Sequence, residues 1–219
     1  MDSEELIEKL VSSLKNYDVD TCLELSKTAV ESGVEPVKAI DRLTEAIREI
    51  GEAFNREELW LPELMMASDV MKNVMPIFEE ELLKKGQTRK VSGTLVIGTV
   101  LGDVHDIGKS MVATMFIAAG YQVYDIGIDV PAEKFIEAVK KYKPDILGMS
   151  ALLTMTALQM GAVIATLKTE GLRDKVKVLV GGGALTPDLA QTLGADGYSA
   201  NAAEAVAAGD NLLGTRKET

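Results

Sequence analysis

The chain has 219 residues, of which 47% are apolar and 5% aromatic, and its 23 basic and 34 acidic side chains give a net charge of −11. This acidic balance lacks the basic stripe that a phosphate backbone requires, so we expect no nucleic-acid binding. The single cysteine excludes a disulfide framework or a cysteine-ligated cluster, and no apolar run reaches the ~18 residues that indicate a membrane span.

The first part of the chain is predicted to be helical. Residues 3–16 form a helix that begins with Ser3, which we expect to cap it ahead of an acidic first turn. Residues 19–32 form a second helix that stops at Gly33. Pro36 marks the start of a third helix, in which apolar residues follow the three-to-four spacing of one buried face.

A fourth helix is predicted to start near Pro62. Pro76 lies inside its apolar pattern and is expected to kink this helix or to end it early, because proline has no backbone N–H. Since the connections are short, an antiparallel four-helix bundle is the simplest arrangement. Residues 84–92 are polar and are interpreted as a linker, which separates a helical domain (1–88) from a second domain (89–219).

From Gly93 onward, short β-rich runs alternate with helical stretches. Alternation of this kind predicts a parallel sheet with helices on both faces. Five such units favour the flavodoxin-like strand order 2-1-3-4-5. The predicted fold class is therefore α/β, with an N-terminal four-helix bundle and a C-terminal flavodoxin-like, five-stranded parallel sheet. The predicted strands are 94–100, 122–128, 145–150, 176–180 and 196–199, and the predicted helices are 108–119, 131–142, 156–170, 186–193 and 201–213.

The chain's one histidine lies where this fold binds ligands. In such a sheet, ligands bind outside the carboxyl ends of the first and third strands, and His105 follows the first strand. A neutral imidazole can ligate a metal through one nitrogen while the other donates to a carboxylate. Either Asp103 or Asp106 is placed to supply that carboxylate. Gly108 would let the start of the next helix approach the ring of a large ligand.

The loops after the third and fourth strands would complete one binding site at this edge of the sheet. Ser150, Thr154 and Thr156 supply hydroxyls without charge, and we expect one of them to cap the following helix. Residues 181–183 are three glycines, which leave open space and bare backbone amides. Lys109 is the only nearby cation and two aspartates oppose it, so a phosphate site is not favoured.

Two other uses of this edge are excluded by single residues. Residues 108–110 (GKS) look like the end of a phosphate-binding P-loop, but the position that needs the first glycine of that motif holds Asp103. A phosphoacceptor receiver domain shares the predicted fold but needs an aspartate at the end of the third strand, where this chain has Ser150.

Three motifs on these loops carry a family resemblance. Asp103-x-His105-x-x-Gly108, then Ser150-x-Leu152-x-Thr154, then Gly182-Gly183 resemble the signature of cobalamin-binding domains that hold the cofactor base-off and His-on. The motifs occur in the order and at the spacing that this family shows.

The helical part extends the resemblance to nearly the whole chain, from about residue 3 to residue 213. Residues 60–63 (WLPE) followed by residues 70–72 (VMK) are similar to the cap module of methionine synthase. They are also similar to the small corrinoid proteins of methanol and methylamine methyltransferase systems. The length and the two-part layout fit the stand-alone corrinoid proteins best.

The resemblance implies roles for particular residues. His105 would replace dimethylbenzimidazole as the lower ligand of cobalt, Asp103 would bond its other nitrogen, and Thr156 would extend this proton relay. Trp60 and Met65 would shield the methyl group on the other side of the corrin. The remaining residues implied at the cofactor are Gly102, Val104, Asp106, Ile107, Gly108, Ser150, Leu152, Thr154, Gly181, Gly182, Gly183, Tyr198 and Ala200.

The resemblance also implies a function, that of a non-catalytic corrinoid subunit that carries a methyl group. Its cofactor would be cobalamin, as methylcobalamin or cob(I)alamin, and its partners a substrate-specific methyltransferase and an acceptor methyltransferase, with a reductive activase as a further option. The methyl donor and acceptor stay open. The alternatives are a cobalamin-binding subunit of an adenosylcobalamin-dependent isomerase, which would lack the bundle, or a cobalamin-dependent sensor. Without a signal-peptide pattern at the start of the chain, we expect a cytoplasmic protein with no membrane partner.

Overall fold

The structure is a computed structural model that describes residues 2–87 and 91–214. The predicted boundary at residues 88 and 89 lies outside the described residues, as does part of the predicted linker, so the domain limits stay a prediction. The chain separates into two compact units, Met1–Lys90 with Ile117–Gly120, and Val91–Phe116 with Tyr121–Thr219.

The first unit contains four amphipathic helices, which confirms the predicted bundle. The first and fourth helices each pack along both the second and the third, and Leu10, Leu43, Leu64 and Phe78 are fully buried between them. Among the described residues, no helix combines the length and apolar composition needed to cross a membrane. The helices are α1 (Ser3–Lys15), α2 (Val19–Glu31), α3 (Pro36–Asn55) and α4 (Leu61–Lys84).

One local prediction in the bundle is wrong, and a second is wrong in one of its two alternatives. The residue that caps α1 is Asp2 rather than Ser3, since the Asp2 carboxylate accepts the N–H of Glu5 at 2.8 Å. The fourth helix does not end early at Pro76 but continues to Lys84, whereas the alternative of a kink at Pro76 stays a prediction. Pro76 and Lys72 are both exposed, so water can bond the Lys72 carbonyl, which loses its helical partner to the proline.

The second unit is a parallel sheet in the order β2-β1-β3-β4-β5, which confirms the predicted topology. Its strands are β1 (Thr94–Thr99), β2 (Gln122–Asp125), β3 (Ile146–Ser150), β4 (Lys177–Gly181) and β5 (Gly197–Ser199). Its helices are α5 (Ile107–Ala118), α6 (Ala132–Tyr142), α7 (Thr154–Thr169), α8 (Pro187–Leu193) and α9 (Ala202–Leu213), with a 3₁₀ turn at Arg173–Lys175.

The second strand is shorter than the predicted run 122–128. It ends at Asp125, whose carboxylate accepts the N–H of Gly127 at 2.9 Å. Gly127 has a φ of 92°, which turns the backbone out of the extended conformation. Beyond this turn the Gly127 carbonyl accepts the Thr99 N–H at 3.0 Å, and Val130 forms an isolated bridge with Val100.

The two faces of the sheet are packed differently. Because successive strand residues point to opposite faces, Val96, Leu147 and Val178 pack into a core with α6, α7 and α8. The other face carries Leu95, Ile97 and Leu179 near the starts and middles of their strands. At the carboxyl ends it carries only small residues, namely Ser150, Gly181 and Ser199.

Candidate cofactor-binding site

The loop between β1 and α5 is held in place along its length. The Thr99 hydroxyl donates to the His105 carbonyl at 3.0 Å, and the Asp103 N–H donates to the Val100 carbonyl at 3.1 Å. Gly102 adopts a φ of 79° and donates its N–H to the Asp129 carboxylate at 2.7 Å. These bonds fix the backbone that carries His105.

A fully buried carboxylate orients the imidazole. Asp103 Oδ1 lies 2.7 Å from His105 Nδ1 and accepts the His105 backbone N–H at 3.0 Å. Asp103 Oδ2 accepts the Thr156 hydroxyl at 2.7 Å and the Leu152 N–H at 2.8 Å. Of the two aspartates that the sequence left open, Asp103 therefore contacts the ring, whereas Asp106 bonds Ser110 and Lys109.

These contacts determine the charge and the tautomer. Burial alone would raise the pKa of Asp103, but hydrogen bonds from Thr156, from the backbone amides of His105 and Leu152, and from the His105 ring hold it well below its usual range. The carboxylate is ionised and can only accept, so Nδ1 carries the proton. The lone pair is then on Nε2 of a ring that is 48% exposed.

The surroundings of His105 fit a metal that brings its own macrocycle. Among the described residues, no group of three His, Cys, Asp or Glu side chains could hold a metal ion. A single imidazole is enough only where a macrocycle fills the other coordination positions, as in haem. The segments that follow β1 and β3 also carry exposed apolar side chains suited to such a flat ligand, namely Val104, Ile107, Leu152, Leu153 and Met155.

A cavity of about 280 Å³ opens beside this loop. It lies between helices α5 and α9 and the face of the sheet that carries Ser150, Gly181 and Ser199. Gly108, Ser150 and the three glycines 181–183 line it. Gly182 has a φ of 116°, and a Cβ built there would overlap the carbonyl oxygen of Ala151. No residue other than glycine fits this position, so no side chain at residue 182 narrows the cavity.

The other residues predicted for the site in this unit lie in different places. Ala200 lines the cavity, whereas Tyr198 packs on the opposite face of the sheet and donates its hydroxyl to the Leu185 carbonyl at 3.2 Å. Thr154 is the first residue of α7, whose N-terminal cap is Leu153 without a side-chain bond. The expectation that Ser150, Thr154 or Thr156 caps α7 is therefore wrong. The Thr156 hydroxyl bonds Asp103 instead.

Trp60 and Met65 belong to the first unit. The Trp60 N–H donates to the Glu63 carboxylate at 2.7 Å where α4 begins, and its side chain is 80% exposed. Met65 is 37% exposed and the adjacent Met66 45%. These side chains are thus available to a ligand or partner and are not part of the bundle core.

Lys109 lies beside the site, and the sequence did not predict that its amine is buried between two carboxylates. Lys109 is only 3% exposed, and its amine lies 2.6 Å from Asp106 and 2.6 and 2.7 Å from the two oxygens of Asp125. The spacing of three residues from Asp106 signals one of these pairs. The pair with Asp125 depends on the tertiary fold, and it ties the start of α5 to the end of β2.

Comparison with known proteins agrees with this geometry. Residues 93–207 match a family model described as a B12 binding domain, and residues 6–79 match a second model of that description. The chain is 44% identical over 214 residues to the dimethylamine corrinoid protein of Methanosarcina barkeri, covering 97% of this chain and 100% of the relative. It is 40% identical over 211 residues to a corrinoid protein of Desulfitobacterium hafniense (strain Y51), covering 95% and 98%.

A solved structure, the methanol:cobalamin methyltransferase complex MtaBC from Methanosarcina barkeri, matches with a TM-score of 0.81 and 32% identity. The match covers 98% of this chain and 82% of that one. With a matching fold, a matching sequence over almost its full length and a single oriented imidazole at the ligand edge, the chain belongs to the family of B12-binding corrinoid proteins.

Proposed function

We propose that this chain is a corrinoid methyl carrier that binds cobalamin base-off, with His105 as the lower axial ligand. It would pass a methyl group from a substrate-specific methyltransferase to an acceptor methyltransferase. The observation that carries the proposal is the His105 ring, which is 48% exposed and whose Nδ1 is held by the buried Asp103 carboxylate.

The residues of the chain supply orientation and electrostatics. When bound, cobalamin supplies a cobalt centre that can accept a methyl group and release it again. Asp103 holds the proton on Nδ1, which leaves Nε2 as the ligand atom and raises its basicity. Thr156 and the Leu152 amide hold the carboxylate on its far side and so keep the ring from rotating.

Further residues are proposed as contacts of the cofactor. The cavity would hold the displaced nucleotide tail, with Gly108, Ser150, Ala200 and the glycines 181–183 along it; their support is the open volume that these small residues leave. Trp60 and Met65 are proposed to cover the reactive side of the corrin, supported by the exposure of their large apolar side chains.

The partners are proposed from the relatives. The solved relative is the methanol:cobalamin methyltransferase complex MtaBC, and another relative is a dimethylamine corrinoid protein. Because similarity extends over the helical part, residues 6–79, a carrier is favoured over the isomerase subunit, which would lack the bundle. We therefore infer that separate methyltransferases bind the donor and the acceptor.

The test is reconstitution. Purified apoprotein is mixed with hydroxocobalamin, desalted and examined by absorption spectroscopy beside His105→Ala and a control, Thr192→Ala, on the exposed surface of α8. We expect stoichiometric cobalamin with a His-on spectrum in the wild type and the control, and loss or shift of that spectrum in His105→Ala. A wild type that retains no cobalamin under either reducing or oxidising conditions would refute the proposal.

A further inference from the structure

We infer that the cavity beside His105 selects corrinoids by the base of their nucleotide tail, and that it accepts an apolar benzimidazole in preference to a purine. The inference rests on the proposed function, because it takes the cavity to hold that tail. It follows from how polar and apolar groups are distributed along the cavity.

The register of the sheet gives the cavity a mouth and a deep end. Ser150, Gly181 and Ser199 pair side by side at the carboxyl ends of β3, β4 and β5, so they lie at the mouth. Two residues further in, Ile97, Gly148 and Leu179 pair across β1, β3 and β4. The deep end is therefore apolar, and it is completed by Leu95 and by Met111 and Val112 of α5.

The polar groups along the cavity are largely committed to each other. The Lys109 amine bonds Asp106 and Asp125. The Ser199 hydroxyl donates to the Asn201 carbonyl at 2.5 Å, and the Asn201 side chain bonds Glu204 in capping α9. Among the described residues that line the cavity, Ser150 is the one polar side chain whose hydroxyl makes no hydrogen bond.

The backbone at the deep end of the cavity offers no free hydrogen-bonding groups in place of the side chains. Parallel ladder bonds already join β1 to β3 and β3 to β4 at the level of Ile97, Gly148 and Leu179. A purine base would bring an exocyclic amino group and several ring nitrogens into this region. One serine hydroxyl offers one donor and two acceptor sites, so it can satisfy only part of these groups, whereas a dimethylbenzimidazole presents mostly carbon.

The expected preference for a benzimidazole tail follows from the polar groups of a purine that would find no hydrogen-bond partner in the cavity. A buried polar group without a partner weakens binding by roughly 5- to 150-fold, which corresponds to about 1–3 kcal/mol. We therefore expect the Kd of an adenine-tailed corrinoid to exceed that of cobalamin by about tenfold or more. A corrinoid without a tail should also bind more weakly than cobalamin, because it leaves the apolar cavity unfilled.

The experiment measures three Kd values by absorption titration of the apoprotein, with cobalamin, its adenine-tailed analogue and the tail-less cobinamide. Met111→Gln places an amide at the deep end, and Met111→Leu is the matched apolar control. We expect Met111→Gln to narrow the ratio between adenine-tailed and benzimidazole-tailed ligands several-fold, and Met111→Leu to keep it.

Equal Kd values for the two tailed ligands would overturn the inference, and so would a cobinamide that binds as tightly as cobalamin. An unchanged ratio in Met111→Gln would also contradict it. Failure of the proposed function looks different, since in that case none of the three ligands binds to the wild type.

Discussion

Replacing Asp103 by asparagine keeps the size of the side chain that orients His105 but removes its charge and one acceptor. Oδ1 accepts from the His105 ring and backbone, and Oδ2 accepts from Thr156 and Leu152. An amide has one oxygen and one NH2 group, so in either orientation the NH2 group faces two groups that donate to the carboxylate.

The magnitude follows from those two contacts. A hydrogen bond to a charged group contributes about 1.5–3 kcal/mol, so two of them would cost about 3–6 kcal/mol. The amide can avoid part of this loss by turning its NH2 toward the half-exposed His105, where water and a tautomer change relieve the conflict. We therefore expect Asp103→Asn to lower the free energy of unfolding by about 2–4 kcal/mol.

The same orientation has a consequence for ligation. An NH2 group facing Nδ1 needs an acceptor there, which moves the ring proton to Nε2 and removes the lone pair that would bind cobalt. We expect Asp103→Asn to lose the His-on spectrum although the histidine is still present. This loss distinguishes a change of tautomer from a simple loss of stability.

The assay is urea unfolding of the apoprotein, followed by the absorption spectrum after loading with cobalamin below the unfolding range. Asp188→Asn, at an exposed position on α8, is the control. If Asp103→Asn unfolds within roughly 0.5 kcal/mol of the wild type, the usual range for surface substitutions, and keeps a His-on spectrum, the assigned role of Asp103 is refuted.

Further predictions concern the rest of the chain. Lys109→Met should destabilise by about 2–3 kcal/mol in urea, because it leaves two carboxylates facing each other without the buried amine; Lys109→Arg should recover part of this loss. Burial raises the pKa of the Cys22 thiol to about 12, so a thiol reagent at pH 8 should label Cys22 only after unfolding. Because the unfolded thiol ionises near ~8.5, stability should also fall as pH rises from that value toward about 12. Gly171→Ala, at a φ of 65° with open space around it, should cost roughly 1–2 kcal/mol in thermal unfolding; Gly182→Ala should cost roughly 1–3 kcal/mol more, and equal losses would contradict the overlap with Ala151.

The fold was predictable because its main elements are specified locally. Apolar spacing identified the bundle, and alternating strands and helices identified the parallel sheet and its order. The errors arose where the surroundings decide the outcome. Pro76 lies at an exposed position of α4, where it does not end the helix. Strand β2 ends early where the Asp125 carboxylate bonds Gly127 and Lys109.

The candidate site was predictable in part. The loop after β1 and the single histidine were evident in the sequence, but position alone did not distinguish Asp103 from Asp106 as the carboxylate beside the ring. That distinction depends on Thr156 and the Leu152 amide, which come from a loop about 50 residues further along the chain. The sequence indicated the opening of the cavity through Ser150 and the glycines 181–183. It did not indicate the deep wall, which combines Leu95, Val112 and Leu179 from three separate elements.

The bonds of Asp103 have a consequence for the order in which the holoprotein assembles. Its carboxylate joins the loop after β1 to the loop after β3, which are brought together only when those two strands pair. A nascent or partly folded chain therefore has no oriented imidazole to offer, and in this it resembles many metalloproteins. Every bond that orients the ring is made between groups of the chain itself, whereas a zinc finger folds through bonds to its metal. We therefore expect cofactor capture to follow folding as a separate event.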